Sequence, residues 1–157
     1  MIAIRRVCLV LLALLVALTT PTASARSAQP TPRQAGPSYV LIDLSQQRLY
    51  EHHHGAVTNV LHVSTGGGYR YRSADGVSRV AVTPVGQFRI YRKAVGWQHS
   101  FLGAMYYPSY FTGGYAIHGS PSVPAGPVSH GCVRIPMGAA IPFFQRNPVG
   151  TPVIIVR

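Results

Sequence analysis

The sequence holds two cysteines, Cys8 and Cys132, and only the second stands among residues able to use a thiol. It lies in Ser129-His130-Gly131-Cys132-Val133-Arg134, downstream of Ala116-Ile117-His118-Gly119-Ser120. A thiol attacks carbonyl carbon as the thiolate, so it needs a base within reach or a depressed pKa. Two histidines are candidates. His130 is two residues away and would share a face with Cys132 in an extended chain, but the intervening Gly131 favours a sharp turn. His118 follows an apolar stretch and precedes a Pro-rich loop that can fold back and set it beside the thiol. Gly131 would let a substrate carbonyl approach the backbone N–H groups near the sulfur, which is what an oxyanion hole requires. The pattern fits nucleophilic acyl transfer; the plain alternative is a buried, inert cysteine.

These residues need elements to position them, and the surrounding sequence reads as short strands. Tyr39 to Leu44 is a β-rich apolar run, Ser45-Gln46-Gln47 a polar turn, and Arg48 to Glu51 a return strand. Ala56 to Val63 is another strand candidate, ended by Ser64-Thr65-Gly66-Gly67-Gly68. Tyr69 to Ser78 reads as a loop. Gln87 to Val95 follows the Pro84-Val85-Gly86 turn. Met105 to Phe111 and Gly114 to His118 flank a Gly-Gly break, and Val153 to Val156 is a last strand. Only Met137 to Gln145 looks helical, and Pro142 should limit it to a turn or two. The fold class expected is mostly β: a sandwich or partial barrel with one or two short helices.

The first 25 residues do not belong to that fold. Arg5 and Arg6 precede an apolar run from Val7 to Leu18, Pro21 breaks it, and Ala23-Ser24-Ala25 has the small-x-small pattern of a cleavage site. This is a secretory signal peptide. The run is too short for a bilayer crossing of about 20 residues, although an uncleaved anchor is the alternative. Residues 26–37, rich in Pro, Ser and Gln, read as a flexible linker. Residues 38–157 then form the single domain, exported to a periplasm, cell wall or extracellular space. Removing the leader takes Cys8 away and leaves Cys132 as the lone thiol. The formal charge of +11 falls to +9 without Arg5 and Arg6, which suits an anionic envelope polymer as a partner. No basic cluster interleaved with aromatics supports nucleic-acid binding, and no phosphate loop, dinucleotide fingerprint or metal constellation implies a cofactor.

The segment from His118 through Ser129-His130-Gly131-Cys132 resembles the signature of the YkuD family of L,D-transpeptidases. Ser64-Thr65-Gly66 followed by Thr83-Pro84-Val85-Gly86-Gln87-Phe88, and Phe111 to Gly119, are similar to further elements of that family, so the resemblance covers residues 38 to 157. It implies that Cys132 attacks the carbonyl between meso-diaminopimelate and D-Ala in a peptidoglycan tetrapeptide stem. D-Ala leaves, and a second stem's amine resolves the thioester to a 3→3 cross-link. It implies His118 as general acid/base with its ring oriented by a carbonyl near Gly119, an oxyanion held by backbone N–H groups around Gly131 and Cys132, and His130 as an electrostatic partner. Ser129 belongs to the binding set. Arg134 would orient the motif or a substrate carboxylate, and Tyr115 would line the pocket. Stem peptides are the implied partners, and carbapenems the implied inhibitors. Ten residues separate His118 from Ser129, fewer than in many members, which would open the acceptor side.

An L,D-carboxypeptidase would use the same acyl-enzyme with water as acceptor; a non-catalytic wall-binding module or a cysteine protease are more distant readings. His52-His53-His54 invites a metal reading, but only His52 and His54 would share a strand face, and a stable site needs more ligands. His62 reads as a core or cleft-lining residue. Trp97, Tyr106, Tyr107 and Tyr110 could line a groove, although aromatics in β domains more often fill the core.

Overall fold

The computed structural model describes residues 38–157; the expected signal peptide and linker lie outside the described residues. Twelve strands and one helix make two five-stranded sheets and a separate hairpin. In the first sheet β1 (Tyr39–Asp43), β2 (Arg48–His53) and β3 (Ala56–His62) run as an antiparallel meander, and β12 (Pro152–Val156) inserts between β1 and β6 (Gly86–Arg89). In the second, β11 (Val133–Pro136), β10 (Tyr115–Ser120), β9 (Gly103–Thr112) and β7 (Arg92–Lys93) lie in that order, and β8 (Trp97–Ser100) also pairs with β9. The hairpin is β4 (Arg70–Arg72) with β5 (Ser78–Val80). No sheet closes on itself, so the mostly-β sandwich reading holds, with one helix.

The apolar alternation in the sequence explains the core. Val40 and Ile42 of β1, Leu49 of β2 and Val153 and Ile155 of β12 meet Phe111, Ile117, Val133 and Ile135 of the second sheet and Phe143 of the helix in one cluster. Each such side chain taken fully out of water contributes about 1.5–3 kcal/mol.

The segment expected as one strand, 87–95, is two. β6 belongs to the first sheet and β7 to the second, with the fully buried Ile90 at the crossing. The loop expected at 69–78 folds into β4 and the turn leading to β5. The helix α1 (Met137–Arg146) has ten residues, longer than the turn or two expected. Pro142 is its sixth residue, so the ring deletes one bond, to the Gly138 carbonyl, and exposed Gly138 leaves that carbonyl open to water.

Candidate active site

β10 and β11 are parallel neighbours with Ile117 opposite Val133, His118 opposite Arg134 and Gly119 opposite Ile135. Side chains alternate along a strand, so one set (Ile117, Val133, Ile135) enters the core while the other (His118, Arg134) faces away from it. Cys132 immediately precedes β11. Its side chain joins those of His118, Arg134, Tyr115, Ser129 and His130 in lining a cleft of about 1020 Å³. Two hairpins add walls: Tyr71, Asp75 and Arg79 from β4–β5, and Trp97, His99 and Phe101 from β8–β9.

His118 is 5% exposed. Its Nδ1 lies 3.0 Å from the Gly119 carbonyl. A carbonyl only accepts, so Nδ1 carries the hydrogen and Nε2 keeps its lone pair. The His118 pKa is lowered to about 4: burial is the main cause, the Gly119 bond opposes it, and the Arg134 charge adds to the lowering. The imidazole is therefore neutral at pH 7, the form a base requires. Gly119 has a second role: a Cβ there would stand 2.6 Å from the Ala140 Cβ, so only glycine lets β10 approach α1 this closely.

Cys132 is partly exposed and in no disulfide. Burial pushes its thiol pKa up, and the Ala116 amide and the Arg134 charge offset that only in part. Its Sγ lies 3.8 Å from the Gly114 carbonyl. Free thiol and free imidazole are thus both neutral at rest.

The loop before Cys132 is held from two sides. The Ser129 hydroxyl donates to the Cys132 carbonyl at 2.6 Å and accepts from the Gly131 N–H at 2.9 Å. That amide is engaged inside the loop. From the other side Thr83 Oγ1 donates to the Gly131 carbonyl at 2.8 Å and accepts from the Gly66 N–H at 2.9 Å. Gly131 has φ +128, and a Cβ there would sit 2.6 Å from the Val82 carbonyl and inside the Tyr115 ring. The site therefore tolerates no side chain at this position. The Ser64–Gly67 stretch braces the loop through isolated bridges: Ser64 exchanges backbone bonds with Arg134, and Thr65 and Gly67 bond Ser129. Buried Gln47 fixes Thr65 in turn, accepting from its amide at 2.9 Å.

His130 packs on the edges of Tyr69 and Tyr71, at centroid distances of 5.4 and 4.8 Å. Burial, then Arg134, lowers its pKa. Burial raises that of Tyr115, with Tyr71 and Cys132 adding to it. Thr83, Gln47 and the β4–β5 wall escaped the sequence reading as site residues, whereas Trp97 and Tyr110, read as possible groove residues, do line the cleft. Thr83-Pro84 was visible as a turn, but nothing local indicates that its hydroxyl reaches a residue 48 positions away.

Of the remaining histidines, His99 lines the cleft wall, and His52, His53 and His62 lie elsewhere. His52 stacks on Tyr39 at 4.1 Å, and His53 Nε2 is 3.8 Å from Glu51 Oε2. His62 links Arg48, 2.7 Å from its Nδ1, to the Pro124 carbonyl, 2.9 Å from its Nε2, and so anchors the loop between His118 and Ser129. Trp97 and Tyr106 pack together at 4.9 Å, and Arg92 sits over Tyr110.

The L,D-transpeptidase from Xylanimonas cellulosilytica (residues 123–326) superposes with a TM-score of 0.74 at 40% identity, over 82% of this chain and 65% of that one. An L,D-transpeptidase from Mycobacterium smegmatis shares the fold at 20% identity (TM-score 0.62, covering 77% of this chain and 59% of that). So does LdtMt1 in complex with imipenem at 21% identity (TM-score 0.61, covering 76% and 59%). This chain spans somewhat less than two thirds of the length of each. No curated protein matches it. The L,D-transpeptidase catalytic domain model of the YkuD family matches residues 37–155, nearly the whole described domain, and the chain belongs to that family.

Proposed function

We propose that this chain is a peptidoglycan L,D-transpeptidase in which Cys132 is the nucleophile and His118 the general acid/base. The observation that carries the reading is the parallel register of β10 and β11, which brings a thiol and a neutral imidazole with a free Nε2 lone pair to one cleft. Cys132 Sγ attacks the carbonyl of the L centre of meso-diaminopimelate as its proton passes to His118 Nε2. The amide C–N bond breaks, His118 returns the proton to the departing D-Ala amine, and a thioester remains. The amine of a second stem then attacks the thioester, His118 takes its proton, and the thiol is regenerated with a 3→3 cross-link formed. The Cys132 N–H holds the oxyanion. The net positive charge supports work against an anionic envelope after export. The imipenem complex of a structural relative supports acylation of Cys132 by carbapenems.

The test is mass spectrometry of tetrapeptide muropeptides incubated with the protein, with Cys132→Ala as control. A dimer lacking one D-Ala, absent from the control, is the expected result. Tripeptide without dimer would make it an L,D-carboxypeptidase, and activity retained by Cys132→Ala would remove the nucleophile. His118→Ala should slow acylation by roughly 10²- to 10⁴-fold; a far larger loss in His130→Ala would reassign the base.

A further inference from the structure

The whole chain has three acidic side chains, Asp43, Glu51 and Asp75. None is bonded to Arg134, although Asp75, paired with Arg79, lines the same cleft. Asp43 accepts from Ser45 and Gln46. Glu51 is bound by Arg146, Asn59 and Asn147. Asp75 pairs with Arg79 at 2.6 Å. Arg134 is half-buried on the wall of the cleft. Its guanidinium has no hydrogen bond or ion pair among the described residues, whose ion pairs are those of Glu51 and Asp75. A partly desolvated cation is costly unless an anion meets it. Here the titratable groups nearest in electrostatic terms are His118, His130 and Cys132, which Arg134 influences without being bonded to any of them. Its fork is therefore open to an anion carried into the cleft by a ligand.

The position of Arg134 defines which anion. It is two residues beyond Cys132, roughly 7 Å along an extended strand, with a long side chain ending in a planar fork that matches a carboxylate. In a peptide cut before its last residue, the terminal carboxylate lies one residue, roughly 3–4 Å, past the scissile carbonyl. We propose that Arg134 binds the free C-terminal carboxylate of the donor peptide and so restricts cleavage to the bond before the final residue. The proposal rests on the acyl-transfer reading of Cys132. Donors that are amidated at the C-terminus, or one residue longer, are then poor substrates, whereas amidation of a carboxylate elsewhere on the stem leaves the Arg134 contact intact.

Two experiments separate this proposal from the reading beneath it. In the first, Cys132 is alkylated with iodoacetate, which carries a carboxylate beside the reacting carbon, or with neutral iodoacetamide, and the Cys132 peptide is quantified by mass. The iodoacetate-to-iodoacetamide rate ratio should fall about 10- to 100-fold in Arg134→Gln, the scale of a charged hydrogen-bond pair. Arg134→Lys, which keeps the charge without the fork, should fall between. If both rates change by the same factor, Arg134 acts only on the ionisation of the site, and the proposal is overturned. In the second, kcat/KM is compared for tetrapeptide donors with free and amidated C-termini. The wild-type preference for the free acid should be at least tenfold and should collapse in Arg134→Gln; an unchanged preference overturns the proposal even where transpeptidation is intact. A shifted alkylation ratio in a protein that turns over no stem peptide would uphold the carboxylate site while refuting the transpeptidase.

Discussion

Replacing Thr83 with valine should loosen the nucleophile loop without disturbing the packing around it. Thr83 is 7% exposed and its hydroxyl is spent on two backbone groups, the Gly131 carbonyl and the Gly66 N–H. Valine has nearly the same shape, so neither cavity nor clash arises, and both groups lose their partner. Leaving a buried backbone group unsatisfied costs about 1–3 kcal/mol. The Gly131 carbonyl is buried and bears the full cost, while the Gly66 amide is only part-buried and recovers some of it from water. The sum is about 2–4 kcal/mol, or a Tm lower by about 10 °C for a domain of this size. The chemistry should suffer as well. Thr83 and Ser129 hold opposite ends of the Gly131 residue, and a freed Gly131–Cys132 peptide can rotate the thiol away from His118. A misplacement of about 1 Å costs roughly 10²-fold. Urea denaturation and tetrapeptide turnover measure the two effects, and Thr83→Ser, which keeps the hydroxyl, should stay within about 1 kcal/mol of wild type. Stability and turnover both unchanged in Thr83→Val would refute the argument that these two bonds hold the loop.

Gly131→Ala should lose about 3 kcal/mol or more, because φ +128 and the Val82 carbonyl at 2.6 Å both oppose a Cβ; a native Tm and normal Cys132 alkylation would contradict this. His118 has a folded pKa of about 4 against an ordinary 6.5, so between those values the unfolded chain binds more protons. Stability is then full above pH 6.5 and falls by roughly 3 kcal/mol as pH drops to 4. His118→Gln should remove most of that slope in urea titrations, with His52 and His130, both also lowered, supplying the remainder. Glu51 is fully buried, and although burial raises its pKa, the bonds from Arg146, Asn59 and Asn147 leave it lowered overall. Its contribution is present above the ordinary carboxylate pKa and is lost in acid below it. Glu51→Ala should cost roughly 3 kcal/mol with the alkylation rate of Cys132 little changed; a selective loss of thiol reactivity would instead connect this cluster to the site.

The sequence made the pieces of the site visible but not what joins them. His118 and Cys132 could be read because thiol, imidazole and glycine at these positions have few other uses together, and the apolar alternation of Tyr39–Leu44 or Val153–Val156 follows from burial on a pleated face. β11 was invisible as a strand because its four residues, Val133 to Pro136, are too few to show a period. β8 was missed because Trp97 to Ser100 carries no apolar alternation, and its pairing comes from the long β9 beside it. Thr83, Gln47 and Ser64 act through hydrogen bonds to residues far along the chain, and a spacing argument has no access to contacts of that kind. The N–H of Gly131 illustrates the same limit at short range. It adjoins the thiol in sequence, but the Ser129 hydroxyl, two residues away, accepts its hydrogen bond.

The protonation of the two central groups explains how a thiol proposed to work outside the cell can persist there. Burial acts on Cys132 and His118 in opposite senses, raising the first pKa and lowering the second, so both effects disfavour a standing thiolate–imidazolium pair. The thiolate is the species that oxidants attack, and the resting site holds little of it. Arg134 pulls both pKa values down; it favours the thiolate and disfavours the imidazolium, so by itself it does not assemble the pair. A substrate carboxylate on Arg134 would neutralise that charge and make His118 a stronger base at the moment a carbonyl stands before Cys132. Proton transfer would then be coupled to donor binding, and a free acid at the end of the donor would serve recognition and activation through one residue.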